Sequence, residues 1–299
     1  MIYDDVKCNS DITPKKDIVF KRIFGSKGNE AILKDLLESI LDKKIESLSL
    51  DLSTELLPEF YAGKKSRVDV RSRLSDGTEV NIEMQINPYE YSDKRCLQHW
   101  SKLYSNTLIE GNKYTDLKKT ICIWIINGEV FKDIEEFHSK WEILNKKAPN
   151  SKHFKELEIH IIELQKFRKL DIMKPMKKDF WLWFIDHTNE EMINLSCVTN
   201  EQIEEARKQL DKIRANEELM ERIRLEEAYE MDENTRLANA EERGMKIGEE
   251  RGKTEGMKIG EEQNKLETAK KMLAKNMDIN LISELTDLSI DEIKKLSKE

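Results

Sequence analysis

Two short segments in the first third of the chain alternate apolar and polar residues on either side of an Asp-Gly pair. Residues 68–74 read VDVRSRL and residues 78–85 read TEVNIEMQ, with Ser75, Asp76 and Gly77 between them. Alternation with a period of two residues is typical of half-buried strands, and Asp-Gly favours a tight turn. The pattern therefore predicts a β-hairpin.

The register of this hairpin depends on the length of its loop. A three-residue loop, with Gly77 in the left-handed conformation, pairs Leu74 with Thr78. The same register places Asp69 directly opposite Glu83. One face of the hairpin is then mostly apolar and the other polar, whereas a two-residue loop would mix the two kinds of side chain on both faces. We therefore predict the three-residue loop.

Helical periodicity appears on both sides of the hairpin. Apolar residues recur at three- and four-residue steps in 17–24 and 30–41. A further long helix is expected, with Ser92 as its N-cap, an end at about Glu110 and Gly111 as its terminator. Residues 120–126 (TICIWII) are a continuous apolar run, which is typical of a buried central strand. Helices, a hairpin and a buried strand in this order predict an α/β domain with a mixed sheet.

The last third of the chain has a different pattern. Residues 201–243 contain neither proline nor glycine, and their apolar residues recur at helical steps among many charges. Glycines then follow at strict four-residue intervals at Gly244, Gly248, Gly252, Gly256 and Gly260. Two interpretations stay open for them: close approach of another helix, or a hinge of low helicity. We predict a domain over 1–195, a charged helical extension with this Gly-x-x-x repeat over 196–265, and a short helical element over 266–299.

Composition narrows the functional class. No stretch approaches the about 18 apolar residues that a membrane-spanning helix needs, and the polar start is unlike a signal peptide. The four cysteines form no C-x-x-C pair and the five histidines show no H-E-x-x-H spacing. These features favour a cytoplasmic protein with reduced thiols and disfavour a zinc enzyme. The formal net charge of −8 disfavours a nonspecific nucleic-acid coat but permits DNA contact through local basic patches.

The Asp69–Glu83 pair is the main candidate for chemistry. Like charges directly opposite each other on two strands, with Cβ atoms about 4.5–5.5 Å apart, destabilise a sheet unless a cation or a shared proton offsets them. Mg²⁺ favours one or two carboxylates together with water and phosphate oxygens. Gln85 shares the face of Glu83, because strand side chains repeat every two residues. The alternative is an ordinary solvated face that Arg71 or Arg73 neutralises.

These residues also resemble a known motif. Asp69 followed by Glu83-Met84-Gln85 is similar to the D…(D/E)xK site of the PD-(D/E)xK nuclease superfamily. Together with flanking segments within about residues 11–130, it resembles the Rpn family, the bacterial recombination-promoting nucleases that are also described as PD-(D/E)xK family transposases. The flanking segments are DIVFKRIFG at 17–25, NIEMQ at 81–85, and Arg95 with Trp100, Tyr104, Leu108, Gly111 and Tyr114.

The resemblance implies a fold, an activity and a cofactor. The fold is a restriction-endonuclease-like α/β core, with a mixed sheet flanked by helices and a C-terminal α-helical extension. The activity is metal-dependent hydrolysis of DNA phosphodiester bonds by an endonuclease linked to recombination or mobile elements. The resemblance implies that Asp69, Glu83 and the backbone carbonyl of Met84 bind Mg²⁺ or another divalent cation.

It also implies roles for residues around that ion. Gln85 is a catalytic candidate that stands where the superfamily often has lysine; its amide can orient water and donate to a phosphate oxygen. Contacts to DNA or to the transition state are expected from Lys21, Arg95, Lys102 and Tyr104. For Lys21 and Tyr104, ordinary packing on a helix surface or in the core is the alternative.

Three functions stay open at this point. The first is the DNA endonuclease. The second is a nuclease-like fold that cuts weakly or not at all and serves as a nucleic-acid-binding or regulatory module, which Gln85 and the negative net charge favour. The third is a scaffold that the helical tail assembles. DNA is the expected partner, no membrane is involved, and we expect a homo-oligomer that forms through the C-terminal extension.

Overall fold

The computed structural model describes most of the chain, in residues 12–51, 69–86, 91–108, 111, 113–151 and 153–296. Contacts divide the protein into two compact units, Met1–Ile223 and Arg224–Glu299. Among the described residues, no helix has both the length and the apolar character that crossing a bilayer requires. The three segments expected from the sequence stay a prediction.

A six-stranded mixed sheet forms the centre of the first unit. Its strands are β1 (Leu48–Leu50), β2 (Asp69–Leu74), β3 (Glu79–Gln85), β4 (Thr120–Ile126), β5 (His138–Glu142) and β6 (Leu157–Glu163). Their spatial order is β1-β2-β3-β4-β6-β5. The neighbours β3, β4 and β6 run parallel, and the other pairs are antiparallel. The predicted mixed sheet is confirmed, although β5 was not predicted from the sequence.

The hairpin of β2 and β3 has the predicted register. Asp69 pairs with Glu83 and Arg73 with Glu79 across the two strands. At the turn, the Leu74 amide donates to the Thr78 carbonyl at 2.9 Å. Gly77 has φ +83°, the left-handed conformation that a residue with a Cβ rarely adopts. The three-residue loop is therefore confirmed, and with it the backbone pairing of the two acidic residues.

Helices cover both faces of this sheet. They are α1 (Asp17–Phe24), α2 (Glu30–Leu41), α3 (Ser92–Asn106), α4 (Leu164–Phe167), α5 (Lys177–Asp186), α6 (Glu190–Thr199) and α7 (Glu201–Arg214), with a 3₁₀ helix at Tyr114–Asp116. The bounds of α1 and α2 agree with the apolar periodicity of the sequence. Helix α3 ends at Asn106, about one turn before the predicted end at Glu110, and Tyr91 rather than Ser92 occupies its N-cap position.

The two faces of the sheet carry separate apolar clusters. The larger one, the α1 face, joins alternate residues of β2, β3 and β4 to α1, α2, α5 and α7. The smaller one, the α3 face, contains Cys96 of α3 together with Cys122, Trp124, Ile126, Ile159 and Ile161. All seven residues of β4 are buried, because this strand packs against helices on both sides. This explains its continuous apolar run.

The apolar stripe of α7 lies inside the core of the first unit. Ile203, Ala206 and Leu210 are fully buried and belong to the same cluster as α1 and α2. The apolar periodicity of the sequence correctly predicts the helix α7. Its many charges, however, suggest a solvated extension, whereas the structure buries its apolar stripe. The difference arises because the charged residues occupy the outer side of the helix while the stripe at three- and four-residue steps packs inward.

The second unit is helical. It contains most of α8 (Glu217–Leu273), followed by α9 (Ile279–Thr286) and α10 (Ile290–Leu296). All five glycines of the four-residue repeat are helical, and no described atom lies within 4 Å of where a Cβ would stand. A capping box precedes α10, since the Ser289 amide donates to Glu292 Oε2 at 2.8 Å and the Glu292 amide donates to Ser289 Oγ at 3.3 Å.

Candidate functional site

The hairpin register brings the two predicted acidic positions together at one end of β2 and β3. Asp69 is the first residue of β2, and its Cα is the partner of the Glu83 Cα. The side chain of Asp69 lies outside the described part of the structure, as do residues 52–68. Arg73 donates to Glu79 Oε1 at 2.5 Å, so this guanidinium pairs near the turn, four register positions away from Glu83.

Glu83 is a buried carboxylate with an unsatisfied oxygen. Its exposed fraction is 7%, and its Oε2 accepts no hydrogen bond from the described residues. Arg95 Nη2 lies 3.5 Å from Oε1, and His99 Nδ1 lies 3.2 Å from Oε2 without hydrogen-bond geometry. Burying an ionised carboxylate without full compensation is costly. A cation at Oε2 would supply the missing interaction.

Helix α3 provides the groups that surround this carboxylate. Arg95 and His99 are four residues apart and therefore lie on one side of the helix. The Arg95 guanidinium is 5.8 Å from the Trp124 ring centre, and the His99 ring meets the same indole edge-on at 5.3 Å. Trp124 is the β4 partner of Glu83, so strand pairing places the indole beside the carboxylate. The site thus has one rigid wall built from α3 and β4.

Cys96 lies next to these groups but is not a nucleophile. Its thiol is 1% exposed, and burial, reinforced by the negative charge of Glu83, raises its pKa well above the usual range. A thiol in this state stays protonated and unreactive near neutral pH. Cys96 therefore serves the packing of α3 against β4.

Two other predicted site residues follow Glu83 along β3. Gln85 is partly buried and comes two residues later, on the face of Glu83. Its carbonyl accepts a hydrogen bond from the Asn127 amide at 2.8 Å, which fixes the end of the strand. The Met84 side chain is 2% exposed and belongs to the α1-face core, so a role for Met84 in the site is restricted to its backbone.

Lys21 is a buried residue of α1 that lies close to the start of β2. A Cβ on Gly25 would stand 2.9 Å from the Lys21 carbonyl oxygen, 3.4 Å from Lys21 Cγ and 3.3 Å from Val70 Cγ2. Lys21 and Val70 therefore flank the same glycine, and Val70 directly follows Asp69. The backbone of Lys21 therefore lies near the start of β2, where the backbone of Asp69 pairs with that of Glu83.

The remaining predicted contacts lie farther along α3. Lys102 is exposed and Tyr104 partly exposed, seven and nine residues beyond Arg95, which corresponds to about 10 and 14 Å along a helix axis. Tyr104 stacks on Trp100 with ring centres 4.9 Å apart, and Trp100 Nε1 donates to the Thr120 carbonyl at 2.9 Å. The structure thus brings Arg95 to Glu83, while Tyr104 has a packing partner of its own.

His99 is a site residue that sequence reasoning missed. It lies closer to Glu83 than Arg95 does. The available signal was its spacing of four residues from Arg95, which puts two cationic or ligating groups on the same side of a helix. That signal is weak before the rotation of α3 about its axis is known.

The donor set fits a hard divalent ion in part. Among the residues that the structure describes, no group of three His, Cys, Asp or Glu side chains is placed to hold a metal. The Asp69 side chain does not enter that count. The unsatisfied Oε2 of buried Glu83 is the feature that fits a cation, because carboxylate oxygen is a ligand that Mg²⁺, Mn²⁺ and Ca²⁺ all accept.

Comparison with known proteins agrees with this geometry. Searches for similar curated proteins and for similar solved structures found no significant match. A family model described as PD-(D/E)XK nuclease family transposase matches residues 14–240, which is more than two thirds of the 299-residue chain. The matched region includes the whole six-stranded sheet and the acidic hairpin. The chain therefore belongs to the PD-(D/E)XK nuclease family transposases.

Proposed function

We propose that this protein is a metal-dependent DNA endonuclease that hydrolyses phosphodiester bonds and acts in recombination or on mobile elements in the bacterial cytoplasm. One observation carries the proposal. Asp69 pairs with Glu83 across the hairpin, and the buried carboxylate of Glu83 keeps an oxygen that accepts no hydrogen bond. Membership of a nuclease family supports hydrolysis and a nucleic-acid substrate.

In this proposal, Asp69, Glu83 and the Met84 carbonyl hold the ion. When bound, the ion polarises a phosphoryl oxygen and lowers the pKa of the attacking water. Arg95, 3.5 Å from Glu83 Oε1, contacts a phosphate of the DNA and offsets part of the negative charge at the site. Lys21, Lys102 and Tyr104 are proposed to contact the DNA or the transition state; Lys102 is exposed, whereas Lys21 is buried.

Gln85 gives this site a neutral group where a lysine is common. Its amide can donate to a phosphate oxygen and orient the attacking water through its own carbonyl. It cannot offset the charge that develops in the transition state as an ammonium group does. We therefore expect slower cleavage than a lysine would support, with the same requirement for the two carboxylates.

A nuclease-like module that binds DNA with little or no cleavage is the second candidate. The proximity of the Arg95 guanidinium to Glu83 favours it, because a guanidinium can neutralise the carboxylate in place of a metal. In both candidates we propose a homo-oligomer that forms through the helical region from α8 onwards.

Cleavage of supercoiled plasmid tests the proposal. The wild type with Mg²⁺ or Mn²⁺ is expected to nick the plasmid, and chelation is expected to stop it. Asp69→Asn should remove nicking, whereas Asp133→Asn, a matched change at an exposed loop residue, should leave it intact. Binding of DNA without metal-dependent nicking would favour the second candidate, and equal nicking by Asp69→Asn would overturn the site.

A further inference from the structure

We propose that His99 is a ligand of the metal ion, so that the site selects Mn²⁺ or a similar transition-metal ion over Mg²⁺. This inference rests on the proposed function, because it concerns the ion of the same site. It adds a nitrogen donor to a set that the sequence predicts to consist of oxygen atoms.

The distance between the two candidate ligand atoms supports this assignment. His99 Nδ1 and Glu83 Oε2 are 3.2 Å apart. Two adjacent ligands of one ion, each bonded at about 2.1 Å, lie about 3.0 Å apart in octahedral and about 3.4 Å apart in tetrahedral coordination. The observed separation falls between these values, so both atoms can bind one ion with little movement.

The contact is not a hydrogen bond. Glu83 Oε2 accepts none, although His99 Nδ1 is near enough to donate one. Glu83 is also more than nine-tenths buried, so water does not readily take the place of the missing donor. Two potential ligands thus lie side by side without satisfying each other, which is the arrangement that a bound cation would stabilise.

The surroundings hold both side chains in position. The His99 side chain is 17% exposed and its ring packs edge-on against Trp124 at 5.3 Å. Arg95 approaches Glu83 at Oε1, the carboxylate oxygen that does not face His99. The guanidinium therefore leaves Oε2 to the ion while it lowers the cost of burying the carboxylate.

An imidazole ligand changes which metals the site prefers. Mg²⁺ takes oxygen ligands almost exclusively, whereas imidazole suits transition-metal ions, and affinity rises along the series from Mn²⁺ to Cu²⁺. A site with carboxylates and one imidazole should therefore bind Mn²⁺ more tightly than Mg²⁺. Loss of the imidazole should weaken Mn²⁺ binding by about tenfold or more and leave Mg²⁺ binding nearly unchanged.

Pulsed electron paramagnetic resonance on the Mn²⁺-loaded full-length protein tests the assignment. The wild type should show modulation from a directly coordinated ¹⁴N nucleus, and this modulation should change when histidine is labelled with ¹⁵N. His99→Gln should abolish it and raise the Mn²⁺ dissociation constant. His153→Gln, at an exposed histidine, is the matched control and should do neither. The isotope experiment needs no variant, and a wild-type signal that does not respond to ¹⁵N-histidine would refute the assignment even if His99→Gln does not fold. A signal that does respond would point to His99, because this is the histidine that lies 3.2 Å from Glu83 Oε2.

Failure of this inference is distinct from failure of the proposed function. Mn²⁺ that binds without nitrogen coupling, and that Glu83→Gln releases, would refute the role of His99 and leave the carboxylate site intact. Mn²⁺ binding that neither Glu83→Gln nor His99→Gln affects would overturn both proposals.

Discussion

Two buried glutamates on the same sheet have opposite environments. Glu163, at the end of β6, is fully buried and accepts hydrogen bonds from the Val130 and Phe131 amides and from Lys166 Nζ at 2.5 Å. Glu83, near the end of β3, keeps one oxygen without any hydrogen bond among the described residues. Fully paired buried carboxylates hold a fold together, whereas an unsatisfied one points to a ligand that the polypeptide does not itself supply.

The largest effect that this comparison predicts concerns Glu83. Glu83→Gln should lower the rate of metal-dependent plasmid nicking about a thousandfold, because an amide binds a divalent ion poorly. The free energy of unfolding without metal should stay the same or rise, since the change removes a buried charge that Arg95 compensates only in part. Urea unfolding and a nicking time course measure the two quantities. A marked loss of stability would mean that Glu83 has a structural role instead.

The reciprocal change at Glu163 should act on stability. Glu163→Gln is expected to lower the free energy of unfolding by about 3 kcal/mol, because the buried Lys166 ammonium loses its opposite charge and keeps only the Phe131 and Ile134 carbonyls as acceptors. The rate of nicking by the folded fraction should not change. Urea unfolding checks the first statement, and Glu135→Gln, at an exposed position in the same region, provides the control. Wild-type stability in Glu163→Gln would contradict the comparison.

A third glutamate extends the comparison to pH. Burial alone would raise the pKa of Glu158, but hydrogen bonds from His160 and Lys119 outweigh it and lower this pKa to about 2. Since the pKa is about 4.3 in the unfolded chain, the stabilisation is present above that pH and is lost as the pH falls towards 2.

The difference in stability between the wild type and Glu158→Gln should therefore shrink between pH 5 and pH 2, by about 3 kcal/mol at most. Thermal or urea unfolding of both proteins across this range measures it. A constant difference would show that Glu158 is not the group that titrates.

The smallest expected effect belongs to the neutral neighbour of Glu83. Gln85→Ala should lower the nicking rate about tenfold, which corresponds to the loss of one hydrogen bond in the transition state. Folding should be preserved, because Gln85 is partly exposed at the end of β3. The rate at saturating metal checks this. An unchanged rate would remove Gln85 from the site.

The sequence predicted the parts of the fold that depend on local pattern. The hairpin register follows from alternation and from Gly77, and β4 follows from its continuous apolar run. Strand β5 gave no signal, because His138–Glu142 is an edge strand whose residues are half-buried or exposed. The burial of the α7 stripe depends on long-range packing and could not be read from its charges.

For the candidate site, too, the local pairing of residues was predictable and the long-range packing was not. Alternation placed Asp69 opposite Glu83, but the orientation of α3, and thus the approach of His99, depends on packing of Cys96 against β4. The sequence also did not indicate that Glu163 has a full set of hydrogen-bond donors and Glu83 does not. The amides that satisfy Glu163 come from residues 32 and 33 positions away in the chain, in a loop without a recognisable pattern.

The turn of the β2–β3 hairpin is a suitable position for attaching a label to this protein. Glu83 lies five positions after Thr78, or about 17 Å along an extended strand, so the turn and the acidic pair occupy opposite ends of the same hairpin. Ser75 and Asp76 at the tip are exposed. A fluorophore or a tether for surface immobilisation could be attached there and would stay clear of the end of the hairpin that carries Asp69 and Glu83.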